Sequence, residues 1–150
     1  MSYTLLHFIT LRLVKDTELR KERDRELFSI YLVGLRERHF DSMQDAVDWV
    51  RSQPASKFYI SSKALVNYIG AMKHGSTPPK MFPWNEKKIK MLYDRYLEFK
   101  ASNPDCRLSR ERICEILVAE PAPMFFIGHE SCMKIITRER KRHKREMSER

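Results

Sequence analysis

The sequence predicts an all-α protein: two tandem three-helix, helix-turn-helix-like repeats behind an N-terminal extension. Three observations carry this expectation. Four glycines among 150 residues fall well below the roughly 7% ordinary share, so few turns can demand a positive φ, which argues against a β-sandwich. Apolar residues recur at spacings of three and four through most of the chain, the period of a helix with one buried face. The phrase PASKFYI at 54–60 returns as PAPMFFI at 121–127, which points to a duplicated unit.

Residues 1–17 are the N-terminal extension. Within it, 3–14 place Leu6, Ile9 and Leu13 at helical spacing but are also rich in aromatic and β-branched side chains. The lack of Gly or Pro before Gly34 tips the balance towards helix. The first unit, 18–74, opens on a helix over 18–38. It is charged early and then carries Leu27, Phe28, Ile30, Tyr31, Leu32, Val33 and Leu35, too apolar for a surface helix and therefore central. The second helix starts at Ser42, a good N-cap, with Asp41 three residues before Gln44 in capping-box spacing. Its buried stripe is Ala46, Val47, Trp49 and Val50. Pro54 ends it, because proline donates no backbone hydrogen bond and disfavours helix in the residue before it. Phe58, Tyr59 and Ile60 then form a short extended run that drops aromatic rings into the core. Ser61 or Ser62 caps a third helix lined by Leu65, Tyr68, Ile69 and Met72.

A Pro-rich linker, 75–85, separates the units; its three prolines suit no helix interior. Phe82 and Trp84 are apolar enough that they are expected to pack across both units. The second unit, 86–137, repeats the plan. Ile89, Leu92, Tyr93, Tyr96 and Phe99 mark its first helix, Ser109 caps its second over Ile113, Ile116 and Leu117, and Pro121 ends that helix. Gly128 stands where the third helix needs a cap, a weaker choice than serine, and Cys132, Ile135 and Ile136 form the inner face. An offset of 67 residues lays Ser42 on Ser109, Pro54 on Pro121, Phe58 on Phe125 and Ile69 on Ile136. Upstream, an offset of 65 lays LFSIYL (27–32) on LYDRYL (92–97), and the two-residue difference falls in a loop, where length changes are tolerated. Residues 138–150 continue the last helix as a basic tail.

Lys and Arg outnumber Asp and Glu by 29 to 20, a net charge of +9, which suits an anionic partner such as nucleic acid. Residues 134–150 hold eight Lys or Arg against three Glu, so much of the excess is the tail. A helix, a fixed turn and a second helix held by aromatic anchors resembles the way a helix-turn-helix presents its recognition helix to the DNA major groove. The turn here is longer, about seven residues instead of three or four. Ser62, Lys63, Asn67 and Lys73 on the first third helix, and His129, Lys134, Arg138 and Lys141 on the second, are the candidate nucleic-acid-binding residues. Asn can pair with adenine, and Lys or Arg with guanine or phosphate. Arg142, Lys144 and Arg145 of the tail add phosphate contacts without sequence specificity. The competing explanation is a solvated polar face, which every such helix has.

Other classes find little support. The cysteines, Cys106, Cys114 and Cys132, are odd in number and sparse, so reduced and mostly buried thiols are expected, with no zinc spacing. No G-x-S-x-G, phosphate loop or paired acids suggest an enzyme, and no cofactor or small-molecule substrate is indicated. No apolar run reaches the roughly 20 residues of a membrane span, and the first residues lack the features of a secretory signal, so the expected address is cytoplasmic. The functional expectation is a non-enzymatic protein that binds double-stranded DNA through its third helices and basic tail. The alternative is a protein-interaction or assembly component, a homo-oligomer or partner-binding protein, with no nucleic-acid binding.

The paired motifs PASKFYIS and PAPMFFIG, each followed by a helix, resemble a group of small, largely uncharacterised bacterial helical proteins, some associated with phage or other mobile elements. The resemblance covers both repeats and implies no activity or catalytic residue. Gly128 departs from the serine of the first copy, which implies a second unit used more for packing than for recognition.

Overall fold

The protein is described by a computed structural model covering residues 3–75 and 81–149, with side chains from residue 17 onward. Six helices account for the regular structure of the described residues: α1 Tyr3–Glu37, α2 Met43–Ser52, α3 Ser62–Lys73, α4 Pro83–Ser102, α5 Arg110–Ala119 and α6 His129–Ser148. Among the described residues there is no β-strand.

Local chemistry sets most boundaries. Ser42 and Ser109 cap α2 and α5, their hydroxyls accepting from the amides of Asp45 and Arg112, which satisfies one of the orphan donors at each N-terminus. Ser61 does the same for α3 through Ala64, whereas Gly128 gives α6 no side-chain cap. Gln53 and Glu120 are the C-caps of α2 and α5, each just before a proline. α1 runs unbroken from Tyr3, so the expected extension and the first helix are one element, as the absence of Gly or Pro before Gly34 allows. α4 opens at Pro83 with proline in its first turn, where the missing N–H costs nothing. It therefore takes the last three residues of the expected 75–85 linker; residues 76–80 of that linker lie outside the described residues. Phe82, expected to pack, is 80% exposed. Trp84 is half-buried with the Lys87 ammonium 4.8 Å from its ring centroid.

Positive φ does occur, but on aromatics as well as on Gly75: Tyr59 and Phe126 both sit at φ 54°, 67 residues apart. A left-handed backbone costs a residue with a side chain about 1–2 kcal/mol, so burial on either side must hold it. Phe58 and Phe125, the residues just before, are 1% and 4% exposed. The single left-handed residue reverses the chain tightly enough that an aromatic anchor and the following helix reach one core.

The helices gather into two compact units, one formed by Met1–Ala55 with Pro123–Arg150, the other by Ser56–Ala122. In the first, α6 packs on α1 and α2; in the second, α3 packs on α4 and α5. The units that pack are therefore not the contiguous stretches 18–74 and 86–137. Each third helix joins the first two helices of the other stretch, because the chain passes between units immediately after the buried Ala55 and Ala122. In the second unit the Phe58 amide donates to the Val118 carbonyl at 3.4 Å, anchoring the segment that leads into α3. In the first, Arg51 Nε donates to the Ile127 carbonyl at 2.9 Å, anchoring the one that leads into α6.

Core positions match across the two. Leu27, Val50 and Ile136 in the first unit and Leu92, Leu117 and Ile69 in the second are at most 2% exposed, each worth roughly 1.5–3 kcal/mol of burial. Among the described residues, the buried charges lie in the first unit: Asp24 is 5% and Glu139 7% exposed.

Candidate nucleic-acid interface

The site is assembled on α6. Its inner face is Cys132, Ile135, Ile136 and Glu139, all buried, spaced to form one stripe of a helix. At 100° per residue the opposite side carries Lys134, Thr137, Lys141, Lys144 and Arg145, all exposed. With a rise of 1.5 Å per residue, the cations from Lys134 to Arg145 span about 16 Å. An open groove of about 650 Å³ follows this side, lined by His129, Glu130, Met133, Lys134, Thr137, Arg138 and Lys141.

Three of the residues expected to bind nucleic acid are also structural. The Arg138 guanidinium, 63% exposed, is hydrogen-bonded through Nη2 to the Asp24 carboxylate, which is 8% exposed and is met from its other side by Arg23 at 3.0 Å. His129 Nδ1 lies 2.8 Å from Asp48 Oδ1. Arg142 donates from Nε to buried Glu139 at 2.8 Å and reaches Glu146 at 3.6 Å. Arg140, absent from the candidate set, donates to the Tyr31 hydroxyl at 2.6 Å with its guanidinium 5.8 Å from that ring. Thr137 donates its hydroxyl to the Met133 carbonyl. The outward cations of α6 are therefore Lys134, Lys141, Lys144 and Arg145, with Arg138 shared between the surface and the core.

α3 presents a weaker version. Lys63 and Asn67 are exposed one turn apart, opposite buried Leu65 and Ile69. Lys73 is exposed but flanks the buried edge, and Ser62 is half-buried. Its outward side thus carries one well-placed cation where α6 carries four. The structure places the α3 candidates in one unit and the α6 and tail candidates in the other.

Electrostatics follow from these contacts. The hydrogen bond from His129 holds the Asp48 carboxyl below its ordinary value, helped by Arg51. Burial pushes the thiols of Cys114 and Cys132 up to about 11, so both stay protonated and poorly nucleophilic near neutral pH. Among the described residues no three His, Cys, Asp or Glu side chains gather as metal ligands, and no helix is long and apolar enough to cross a membrane.

Asp24 and Asp48 escaped the sequence reading. Asp24 lies in the charged run RKERDRE (20–26), which looks like a solvated face. The 65-residue offset, however, lays it on Ile89, a core position, and that alignment was the available signal. Glu139 likewise falls on Met72 of the α3 inner face under the offset of 67. No protein-family model, curated protein or solved structure matches the chain.

Proposed function

We propose that the chain is an internally duplicated, helix-turn-helix-like protein that binds double-stranded DNA without catalysing a reaction, and that α6 makes most of the contact. The observation that carries this reading is the outward row of Lys134, Lys141, Lys144 and Arg145. Exposed ammonium and guanidinium groups along about 16 Å of rigid helix match a phosphate backbone, and each neutralised phosphate releases condensed counterions. Asn67 and Lys63 of α3 are the subsidiary contacts. The left-handed turns at Tyr59 and Phe126 fix how each third helix leaves its anchor, which is what a recognition helix requires.

Fluorescence anisotropy with a random duplex tests the reading. Neutralising four phosphates makes affinity fall about 100-fold between 50 and 200 mM salt. Replacing Lys134, Lys141, Lys144 and Arg145 by Glu abolishes measurable binding, whereas Lys63→Glu with Lys73→Glu weakens it several-fold. Equal losses from the two sets would remove the priority given to α6. Absence of binding even at low salt would remove the function. Phe82, 80% exposed, favours a second reading, an assembly component that docks a protein partner. A salt-independent oligomer with no DNA affinity, seen by size-exclusion chromatography, is the result that reading requires.

A further inference from the structure

We propose that the two halves of the chain, residues 1–75 and 81–150, are an obligate pair that complete each other by exchanging third helices, and that ion pairs carried by α6 select its seat. The seats are alike in apolar content. Leu27, Tyr31 and Val50 of α1 and α2 have Leu92, Tyr96 and Leu117 of α4 and α5 as their matched, equally buried counterparts. Hydrophobic burial is not directional, so it gives α1 and α2 no reason to accept α6 in preference to α3, which lies nearer in sequence.

The polar groups supply the reason. The α1 and α2 seat presents the buried Asp24 carboxylate, the Tyr31 hydroxyl and Asp48, and α6 answers each, with Arg138, Arg140 and His129. The residues of α3 at those three positions, by the offset of 67, are Ala71, Lys73 and Ser62. Ala71 offers Asp24 no cation, so α3 in this seat leaves a buried carboxylate with Arg23 alone. In the other seat Ile89 replaces Asp24, and Arg138 would face an apolar side chain. Taking one of its two cations away from a buried carboxylate is unfavourable even where the intact pair adds little net stability, and Asp24, not the largely exposed Arg138, is the buried member. Such pairs discriminate mainly by penalising the wrong partner.

The test uses the full chain with a protease site replacing residues 76–80, cut after folding. The two pieces are expected to co-elute with unchanged helicity. Separated in denaturant and returned singly to native buffer, neither recovers its native circular dichroism, and a 1:1 mixture does. Asp24→Asn, which keeps the side-chain shape, and Arg138→Ala each raise the dissociation constant between the pieces about tenfold, and together they raise it no further. Pieces that part on cutting, or an N-terminal piece that recovers alone, would overturn the exchange. Fully additive effects of the two substitutions, or no effect of either, would overturn the ion-pair selection while leaving the exchange in place.

Discussion

The α6 unit and the α3 unit solve one packing problem with different chemistry. Both set a third helix on two others, enter it through a left-handed aromatic at φ 54°, and bury the same row of aliphatic positions. The α6 unit then adds Asp24 with Arg138, Asp48 with His129 and Arg140 with Tyr31. The α3 unit contains Ile89 and Met72 at the positions of the buried acids Asp24 and Glu139; its clearest side-chain bridge between elements is Arg95 to Glu120 at 3.2 Å, with the Arg95 guanidinium 4.9 Å from the Phe58 ring centroid. Shape is shared by the units, while polarity is specific to each. A helix that must present cations outward can be held by some of its own cations turned inward.

Cavities at matched core positions should be the most destabilising change. Leu27→Ala and Leu92→Ala remove matched side chains, each with 0% of its surface exposed, and each should cost about 2–5 kcal/mol. Urea unfolding followed by circular dichroism checks this. Costs that agree within about 1 kcal/mol support equivalent cores, and a marginal loss at either site would show that its unit relaxes around the cavity.

Helix type, the serine caps and the proline stops were legible in the sequence because each is a short-range effect, decided by a hydroxyl three residues from an amide or by a ring that cannot donate. Most apolar inner positions were legible too, since spacing places them on one side, but Leu35 is 48% exposed and the acid Glu139 shares the buried face of α6. The partner of each third helix was not. Nothing local to PASKFYI says that the chain crosses to the other unit after Ala55, and the pairing rests on contacts such as Asp24 with Arg138, 114 residues apart. The candidate site was half legible. Lys134 and Lys141 are outward as expected, and Lys144 and Arg145 share that side, but charge counting could not separate these four from Arg138, Arg140 and Arg142, which turn towards carboxylates or a phenol.

Where α1 meets α2 the units differ in how tightly they pack. A Cβ built on Gly34 would lie 2.5 Å from Trp49 Cζ3, and the indole also meets Arg38, 5.5 Å from its centroid, and Phe40 at 5.7 Å. The matched positions in the other unit are Phe99 and Ile116, so one pair is small on large and the other large on medium. Alanine in place of glycine within a helix ordinarily stabilises by about 1 kcal/mol. Here overpacking reverses the sign, and Gly34→Ala should lower stability by about 1–3 kcal/mol. A rise in the urea midpoint would mean that Trp49 moves aside freely.

The smallest effect tests the polar difference by pH. Asp48 bridges from α2 to His129 on α6, whereas its matched residue Glu115 pairs with Arg112 on its own helix, at 2.8 Å. The Asp48 carboxyl titrates below its ordinary 3.8, first because of the His129 hydrogen bond. A depressed carboxyl contributes stability that is fully present above the unfolded-state value and is lost as the pH falls through the folded-state value. The α6 unit should therefore weaken as the pH drops from about 5 to about 3, and Asp48→Asn should flatten that fall. Glu115→Gln is the comparison, and it should leave the profile nearly unchanged because both side chains of its pair are exposed on a single helix, where such pairs contribute little. Monitoring Trp49 fluorescence along the acid titration, with Trp84 replaced by Phe, confines the readout to the α6 unit. Identical profiles for the Asp48 and Glu115 variants would mean that the bridge to His129 does not help to hold α6 in its seat.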